Sequence, residues 1–273
     1  MKKRLSFLLF GAFVCTIAFS QEVKSGSSLI CGLPATKSDA TRIKNASAKE
    51  VKNALLIANS DYGKELGALS TPVKEARDLK LALESIGFNV IIVENANRES
   101  MEDALLSFRK KSEKEGGIAF FHYGGHAVQI DGVLYLIPVS ANITNAMQAR
   151  FKCVNITDLM DCMQGDANIV IFDSARDNPF PPEKSRETGR SNNTPNFVQP
   201  RNSIIFYSTE SGTAAQDGIF TPILTCHITE KNKSASDIFK MVCLEVSKKT
   251  EGKQNPCMSS KMLFHIYLAG VDK

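Results

Sequence analysis

Six short apolar runs, each of four to six residues, constrain the fold more than any other feature of this 273-residue sequence. Runs of this length between polar segments are typical of strands that are buried on both faces of a sheet. They lie at Ala54–Asn59, Phe88–Val93, Ile118–Phe121, Asn168–Phe172, Ser203–Tyr207 and Phe264–Leu268. We therefore predict a six-stranded sheet that is covered on both faces.

Helical patterns separate these runs along the chain. The clearest pattern spans Pro72–Ile86, where Thr71 is the expected N-cap, a proline takes the first helical position and Gly87 follows the end. Two further helices are predicted at Arg98–Lys111 and Asp237–Lys248. The alternation of strands and helices predicts an α/β fold with a mostly parallel sheet.

Two segments interrupt this alternation. Asp131-Gly132 lies between alternating apolar positions, which predicts a small hairpin after the third strand. Residues 181–200 are rich in Asn, Pro, Arg, Glu, Ser and Thr, which predicts a mobile surface loop. We expect one domain over residues 51–273, with a larger part, 51–180, before the loop and a smaller part, 201–273, after it.

The first residues have the pattern of an export signal. Three basic residues precede an apolar run over Leu5–Phe19, and small residues follow at its end. This pattern predicts a signal peptide, 1–20, that is cleaved to give a secreted or periplasmic protein. The alternative is a membrane anchor, but the run is shorter than the ~20 residues of a spanning helix. Residues 21–50 have no apolar period and are expected to form a linker.

The charge of the chain argues against a nucleic-acid partner. Three of the 33 Lys and Arg residues lie in the signal segment, so 30 basic side chains remain against 29 acidic ones. The sequence also has no basic stripe with interleaved aromatic residues. Nucleic-acid binding is therefore not expected.

Six cysteines follow the signal segment, at positions Cys31, Cys153, Cys162, Cys226, Cys243 and Cys257. In an oxidising compartment they could form disulfides, and buried thiols are the alternative. No two of them have C-x-x-C spacing, and the four histidines are scattered. The sequence therefore predicts no metal site and no cofactor.

Polar residues follow two of the predicted strands directly. The third strand leads into His122-Tyr123-Gly124-Gly125-His126, and the fourth leads into Asp173-Ser174-Ala175. In parallel α/β sheets, ligands and reacting groups gather where the carboxyl ends of the strands meet. If these two strands are neighbours, His126 faces the segment around Ala175.

These segments resemble the caspase-like cysteine peptidases, especially their bacterial and metacaspase-like branch. The likeness lies in ALLIANSDYG, TPVKEARDLKLALESIGF, FFHYGGHAVQIDGVLYLIPV and IVIFDSARDNPF. The later segment RNSIIFYSTESGTAAQDGIFTPILTCHI resembles the small-subunit region of that family. The resemblance implies a caspase-like fold and an ancestral cysteine-type endopeptidase activity.

In that family a histidine and a cysteine form a catalytic dyad. Tyr123–His126 matches the motif of the histidine, so the resemblance assigns the dyad histidine to His126. The cysteine belongs to an Asp-x-Cys motif, and Ala175 stands at its position. Backbone N–H groups beside both residues hold the oxyanion in the family, and the resemblance gives this role to Ala127 and Ala175.

The sequence departs from the family pattern at two positions. Ala175 provides a methyl group where a thiolate should attack, and Ala127 replaces the glycine after the histidine, which narrows the accessible backbone angles. Ser174 is the obvious substitute nucleophile. Side chains alternate along an extended segment, so Ser174 should point away from the place of Ala175. We therefore predict an inactive site, and with it a chain that does not cut itself in the 181–200 loop.

Two acidic residues are candidates for a substrate pocket. In the metacaspase-like branch the acid before the cysteine helps to bind a basic side chain, and the resemblance carries this role to Asp173. Glu75 falls where the family often has a second pocket acid, and Gly124 belongs to the same cleft. The structural alternatives are an aspartate that caps local backbone and an ordinary glutamate on a helix face.

Three functions are compatible with the sequence. The leading hypothesis is a catalytically inactive caspase-like protein that binds a peptide or protein ligand through the old cleft. The second is a true cysteine peptidase, with Arg or Lys before the cleaved bond, whose cysteine is replaced in this copy. The third is a structural or interaction module in which the cleft is unused.

Overall fold

Nine strands form two sheets in the computed structural model, which describes residues 51–174, 198–213 and 215–272. The strands are β1 (Lys52–Ala58), β2 (Asn89–Glu94), β3 (Ile118–Gly124), β4 (Ala127–Ile130), β5 (Val133–Leu136), β6 (Val154–Asn155), β7 (Ala167–Asp173), β8 (Ser203–Tyr207) and β9 (Cys257–Ser260). The central sheet has the order β2-β1-β3-β7-β8-β9, and only β9 is antiparallel to its neighbour. The predicted six-stranded, mostly parallel sheet is confirmed.

Six helices accompany these strands in the described residues. They are α1 (Pro72–Ser85), α2 (Arg98–Glu115), α3 (Ala146–Lys152), α4 (Ile156–Cys162), α5 (Phe220–His227) and α6 (Ala235–Lys249). The sequence patterns predict α1, α2 and α6 but not the short helices α3 and α5. α6 begins two residues earlier than predicted because Ser234 Oγ caps it by accepting from Asp237 N at 3.2 Å.

Side chains of the central strands alternate between two buried faces. In β3, Phe120 lies in an apolar cluster with Leu79 of α1 and Val242 of α6, whereas Phe121 lies in a second cluster with Leu105 of α2. Because helices cover both faces, the strands between them are apolar at nearly every position. The α/β fold with helices on both faces is therefore confirmed.

The predicted hairpin is also present and lies directly after the third strand. β4 pairs antiparallel with β5 across Asp131-Gly132, whose φ angles of 51° and 79° suit a two-residue hairpin turn. The structure adds β6, which pairs antiparallel with β5 to complete a small second sheet. This sheet begins at Ala127 and so fixes the chain immediately after His126.

The prediction of a strand at Phe264–Leu268 is wrong. Ile266 and Leu268 are buried, but their carbonyl groups accept from Ala235 N and from the side-chain Nζ of Lys52, each at 2.7 Å, and not from the backbone of a neighbouring strand. The sixth strand of the sheet is β9. Its sequence CMSS is short and mostly exposed, so it lacks the apolar pattern that marks the other strands.

Several predicted features fall on residues that the structure does not describe. The signal segment, the linker, residues 181–197 of the predicted loop and Cys31 all lie outside the described residues. None of the helices among the described residues combines the length and the apolar composition that a membrane-spanning helix needs. Among the described cysteines, free thiols are found at Cys153 and Cys162, which are buried, and at Cys226 and Cys243.

Lys52 joins three distant parts of the fold, and its loss should destabilise the protein. Its Nζ donates to Leu268 O at 2.7 Å and to Ile86 O at 3.2 Å, and it lies 5.8 Å from the centre of the Phe88 ring. We predict that Lys52→Met lowers the free energy of unfolding by about 1–3 kcal/mol, because two carbonyl groups lose a charged donor. Urea unfolding of both proteins measures this difference.

Lys80→Met is the matched control for this prediction. Lys80 forms an ion pair with Glu84 on the surface of α1, and such pairs contribute about 0–1 kcal/mol. Equal losses in the two variants would contradict the structural role of Lys52.

Candidate functional site

The site lies where β3 and β7 end side by side. The two strands pair in parallel with Gly124 opposite Asp173, and Gly125 N donates to Asp173 O at 3.3 Å just beyond the last pair. The strands that were expected to be neighbours are therefore adjacent. The loops that carry His126 and Ser174 leave the same edge of the sheet, as the sequence predicts. Ala175 lies outside the described residues.

The His126 ring is held from two sides. Its Nε2 lies 2.9 Å from Gly67 O, and its centre lies 4.5 Å from the centre of the Tyr62 ring. A carbonyl oxygen can only accept, so Nε2 carries the proton in this contact. In the neutral ring, the lone pair is then on Nδ1. The turn after β1 therefore sets both the tilt and the tautomer of His126.

Two tyrosine hydroxyls fix the backbone of His126. Tyr62 OH accepts from His126 N at 2.9 Å, and Tyr123 OH donates to His126 O at 2.7 Å. Both hydroxyls also lie about 3 Å from Ile137 O, and 3.2 Å from one another. Burial raises the pKa of Tyr62 to about 12, so this hydroxyl keeps its proton at physiological pH.

Gly125 allows this close approach. Its φ is +153°, and a Cβ atom at this position would lie 2.5 Å from Tyr62 OH and 3.0 Å from Tyr123 OH. A side chain here would push the two hydroxyls away from the His126 backbone. The glycine of the Gly-His pair is thus required by packing against the tyrosines.

Ala127 presents its N–H away from the hairpin. Ile137 N donates to His126 O at 3.0 Å, so Ala127 and Leu136 form a pair without hydrogen bonds between them in the β4–β5 ladder. The Ala127 N–H is therefore not used by β5. This orientation is compatible with the predicted role as an oxyanion donor, which stays a prediction for both Ala127 and Ala175.

Ser174 does not form a serine–histidine pair with His126 among the described residues. Its side chain is 3% exposed, and its hydroxyl has no hydrogen-bond partner in that part of the chain. The Nε2 atom of His126 is used by Gly67 instead. A nucleophilic hydroxyl needs a base within hydrogen-bond reach, so this arrangement argues against Ser174 as a substitute for the cysteine.

Asp173 is held at the end of β7 by the first turn of α5. Its Oδ2 accepts from Thr221 Oγ1 at 2.6 Å and from Thr221 N at 3.2 Å. Burial raises the pKa of the carboxyl above its ordinary value, and the hydrogen bonds from Thr221 act in the opposite direction. Asp173 therefore contacts the backbone, as its structural alternative requires. It is also a partly buried acid at the edge of the sheet where α/β proteins generally bind ligands.

Glu75 lies on α1 and faces the same place. It is 7% exposed, and burial together with the negative charge of Asp173 raises its pKa to about 7. Gly124 at the end of β3 lies close to the start of α1, since a Cβ atom there would be 3.5 Å from Pro72 Cβ and 3.4 Å from His122 Cε1. The structure thus brings together the three predicted pocket residues, whereas an ordinary glutamate on a helix face would be exposed.

A third acid, Asp217, completes the group and is not predicted from the sequence. It accepts from Ser70 N at 3.1 Å and from Ser70 Oγ at 3.0 Å, and it bonds to Thr71 Oγ1. Its charge also raises the pKa values of Glu75 and Asp173. The only local signal in the sequence is an Asp-Gly pair, which indicates a turn and not a site.

Comparison with known families decides how this geometry is interpreted. A family model described as the caspase domain of peptidase C14 matches residues 51–267. The chain belongs to the caspase family. A search of curated proteins finds no match. The resemblance of the sequence to caspase-like proteins and the predicted caspase-like fold are both confirmed.

The caspase-family assignment leaves the roles of individual residues as predictions. His126 lies at the predicted edge of the caspase sheet, and Asp173, Glu75 and Gly124 lie close together there. His122 is buried under this edge, and burial lowers its pKa to about 3. Within the described ranges, no group of three or more His, Cys, Asp or Glu side chains is arranged to hold a metal ion.

The raised pKa of Glu75 predicts how the stability of the protein depends on pH. Folding raises the pKa of this carboxyl from 4.5 to about 7, so the folded state binds the proton more tightly than the unfolded state. The contribution of Glu75 to stability is full below pH 4.5 and is lost as pH rises towards 7. Glu75→Gln removes this loss. As pH rises across that window, the free energy of unfolding of the variant should increase by roughly 2 kcal/mol relative to that of the wild type, allowing for partial solvent screening.

Urea unfolding at a series of pH values measures this effect. Glu84→Gln is the matched control, because Glu84 lies on the same helix but is 40% exposed at its side chain. A stability difference between Glu75→Gln and wild type that stays constant with pH would contradict the buried position of Glu75.

Proposed function

We propose that this caspase-family protein is an exported pseudopeptidase that binds peptide or protein segments through a basic side chain. The observation that carries the proposal is the convergence of Asp173, Glu75 and Asp217 on a site whose nucleophile position is Ala175. Export is supported by the pattern of residues 1–20. The pocket and the missing nucleophile together favour recognition without cleavage.

The carboxylates favour a cation for an electrostatic reason. Asp173 and Asp217 each raise the pKa of Glu75, and Asp217 also raises the pKa of Asp173, so the carboxylates repel one another when they are ionised. Two unit charges about 4 Å apart at an effective dielectric constant of about 20 interact by about 4 kcal/mol. A basic side chain would turn this repulsion into attraction. Arginine suits the site best, because its planar fork can bond two carboxylates at once.

The same site lacks the parts that cleavage needs. Peptide hydrolysis by this family requires a thiolate that attacks the carbonyl carbon and a histidine that protonates the leaving amine. The methyl side chain of Ala175 has no lone pair with which to attack. The hydroxyl of Ser174 is buried and has no hydrogen-bond partner in the described residues. His126 keeps its place through Gly67 and the two tyrosines. The histidine alone supplies no nucleophile.

Calorimetric titration with three amidated peptides tests the binding proposal. The peptides differ only at one position, which is arginine, its neutral analogue citrulline, or glutamate. We expect arginine to bind at least about tenfold more tightly than citrulline, because a charged hydrogen bond is lost, and glutamate not to bind. Asp173→Asn should abolish the preference for arginine, whereas Glu84→Gln on the exposed end of α1 should keep it.

The result of this titration separates the three functions. Equal affinity for arginine and citrulline would overturn the proposed pocket. Absence of binding by all three peptides would favour a structural module with an unused cleft. Hydrolysis of the arginine peptide by the unmodified protein would overturn the pseudopeptidase.

Restoring the thiol tests how much of the catalytic arrangement remains. We predict that Ala175→Cys gains the ability to cleave peptides after arginine or lysine, at a low rate because Ala127 still replaces the motif glycine. Ser174→Cys is the matched control, since it places the same thiol one residue away in a buried position. Release of a fluorescent amine measures both. Equal rates in the two variants would contradict the assignment of the nucleophile position to Ala175.

A further inference from the structure

A buried chain of hydrogen bonds reaches Asp173 from behind the pocket. His122 Nε2 lies 3.0 Å from Thr221 Oγ1, and Thr221 Oγ1 lies 2.6 Å from Asp173 Oδ2. His122 is 1% exposed and Thr221 is fully buried. Water is therefore excluded from the contact between His122 and Thr221, whereas Asp173 at the end of the chain is only partly buried. The chain joins β3 to the first turn of α5, two segments that are 99 residues apart in sequence.

The protons in this chain have one arrangement when Asp173 is ionised. A carboxylate only accepts, so the hydroxyl of Thr221 donates its single proton to Asp173. The Thr221 oxygen then accepts from His122 Nε2, which fixes the neutral imidazole in the tautomer with the proton on Nε2. Burial lowers the pKa of His122 to about 3, so the ring stays neutral at physiological pH.

A neutral donor suits this position for an electrostatic reason. An imidazolium here would neutralise part of the charge that Asp173 offers to a basic ligand. The other groups that act on the pocket are Glu75 and Lys74 from α1 and Asp217 from the turn before α5. His122 thus adds a hydrogen bond towards Asp173 without adding a positive charge.

The second nitrogen of the His122 ring shows that a histidine at this position costs stability. His122 Nδ1 is buried and has no hydrogen-bond partner among the described residues. An unpaired polar atom in the core costs about 1–3 kcal/mol. The neighbours of His122 across the sheet are Leu56 and Ile171, both apolar. An apolar side chain would avoid this cost but could not donate to Thr221.

We propose that His122 and Thr221 are positioning residues that hold Asp173 ionised and oriented for a basic side chain of the ligand. This inference rests on the proposed function, because the orientation of Asp173 matters for binding only if Asp173 receives a cation. The order of protons along the chain does not depend on any ligand and can be measured separately.

The first experiment reads the tautomer of His122 directly. In protein labelled with ¹⁵N at histidine, the His122 signals are assigned by their loss in His122→Gln. We expect a neutral ring with the proton on Nε2 from about pH 5 to about pH 9. Thr221→Val should shift the Nε2–H signal to that of a proton without a partner, and Thr221→Ser should restore it. A proton on Nδ1, or a ring that titrates in this range, would overturn the proposal.

The second experiment measures the binding of the arginine peptide as a function of pH. It uses Glu75→Gln as the background, so that Glu75 no longer contributes to the profile. Binding should weaken at low pH, where Asp173 takes up a proton, and we call this part of the profile the acid limb. We expect Thr221→Val to move the acid limb to higher pH by about one unit, because ionised Asp173 loses a hydrogen bond. Thr221→Ser should move it back. Thr225→Val is the control, since this hydroxyl on the same helix only bonds Thr221 O at 2.8 Å.

The two experiments fail in different ways. If the wild-type protein does not bind the arginine peptide but His122 carries its proton on Nε2, the proposed function is wrong and the order of protons is correct. If the peptide binds but Thr221→Val leaves the acid limb in place, the positioning role is wrong and the binding function is correct.

Discussion

The pairing of β3 with β7 is the constraint on which the rest of the site depends. The two strands run parallel and in register to their last residues, so Gly124 and Asp173 end opposite one another. Each loop that leaves this edge starts from a fixed point, and Gly125 N tightens the junction by donating to Asp173 O. A shift of the register by one residue would turn Asp173 to the opposite face of the sheet. Thr221 and Glu75 would then have no carboxylate to face.

Much of the fold could be predicted because burial on both faces leaves a pattern in the sequence. Strands such as β1 and β7 are apolar at nearly every position, and helix α1 has a proline, an apolar stripe and a glycine in the expected order. The last strand could not be predicted in this way. β9 lies at an exposed edge and needs few apolar residues, whereas Phe264–Leu268 is apolar because it packs against α6 and not because it pairs.

The site was predictable to the extent that motifs mark it. His126, Asp173 and Glu75 lie in segments that resemble the family, and the structure brings their surroundings together. Asp217 and Thr221 lie in the segment that resembles the small-subunit region, but no pocket motif there singles them out. Their importance arises from contacts with residues 48 to 147 positions away in the chain, and local sequence carries no information about such contacts. The tautomer of His122 likewise follows only from the geometry of its neighbours.

The contacts of His126 also bear on how its presence should be understood. Its ring is held by Gly67 and Tyr62, and its backbone by Tyr62 and Tyr123. None of these contacts requires a sulfur atom nearby, and removing the imidazole would leave Gly67 O and the face of the Tyr62 ring without a partner from residue 126. The histidine therefore has a structural role that does not depend on any reaction. The presence of His126 alone is therefore weak evidence for peptidase chemistry in this protein.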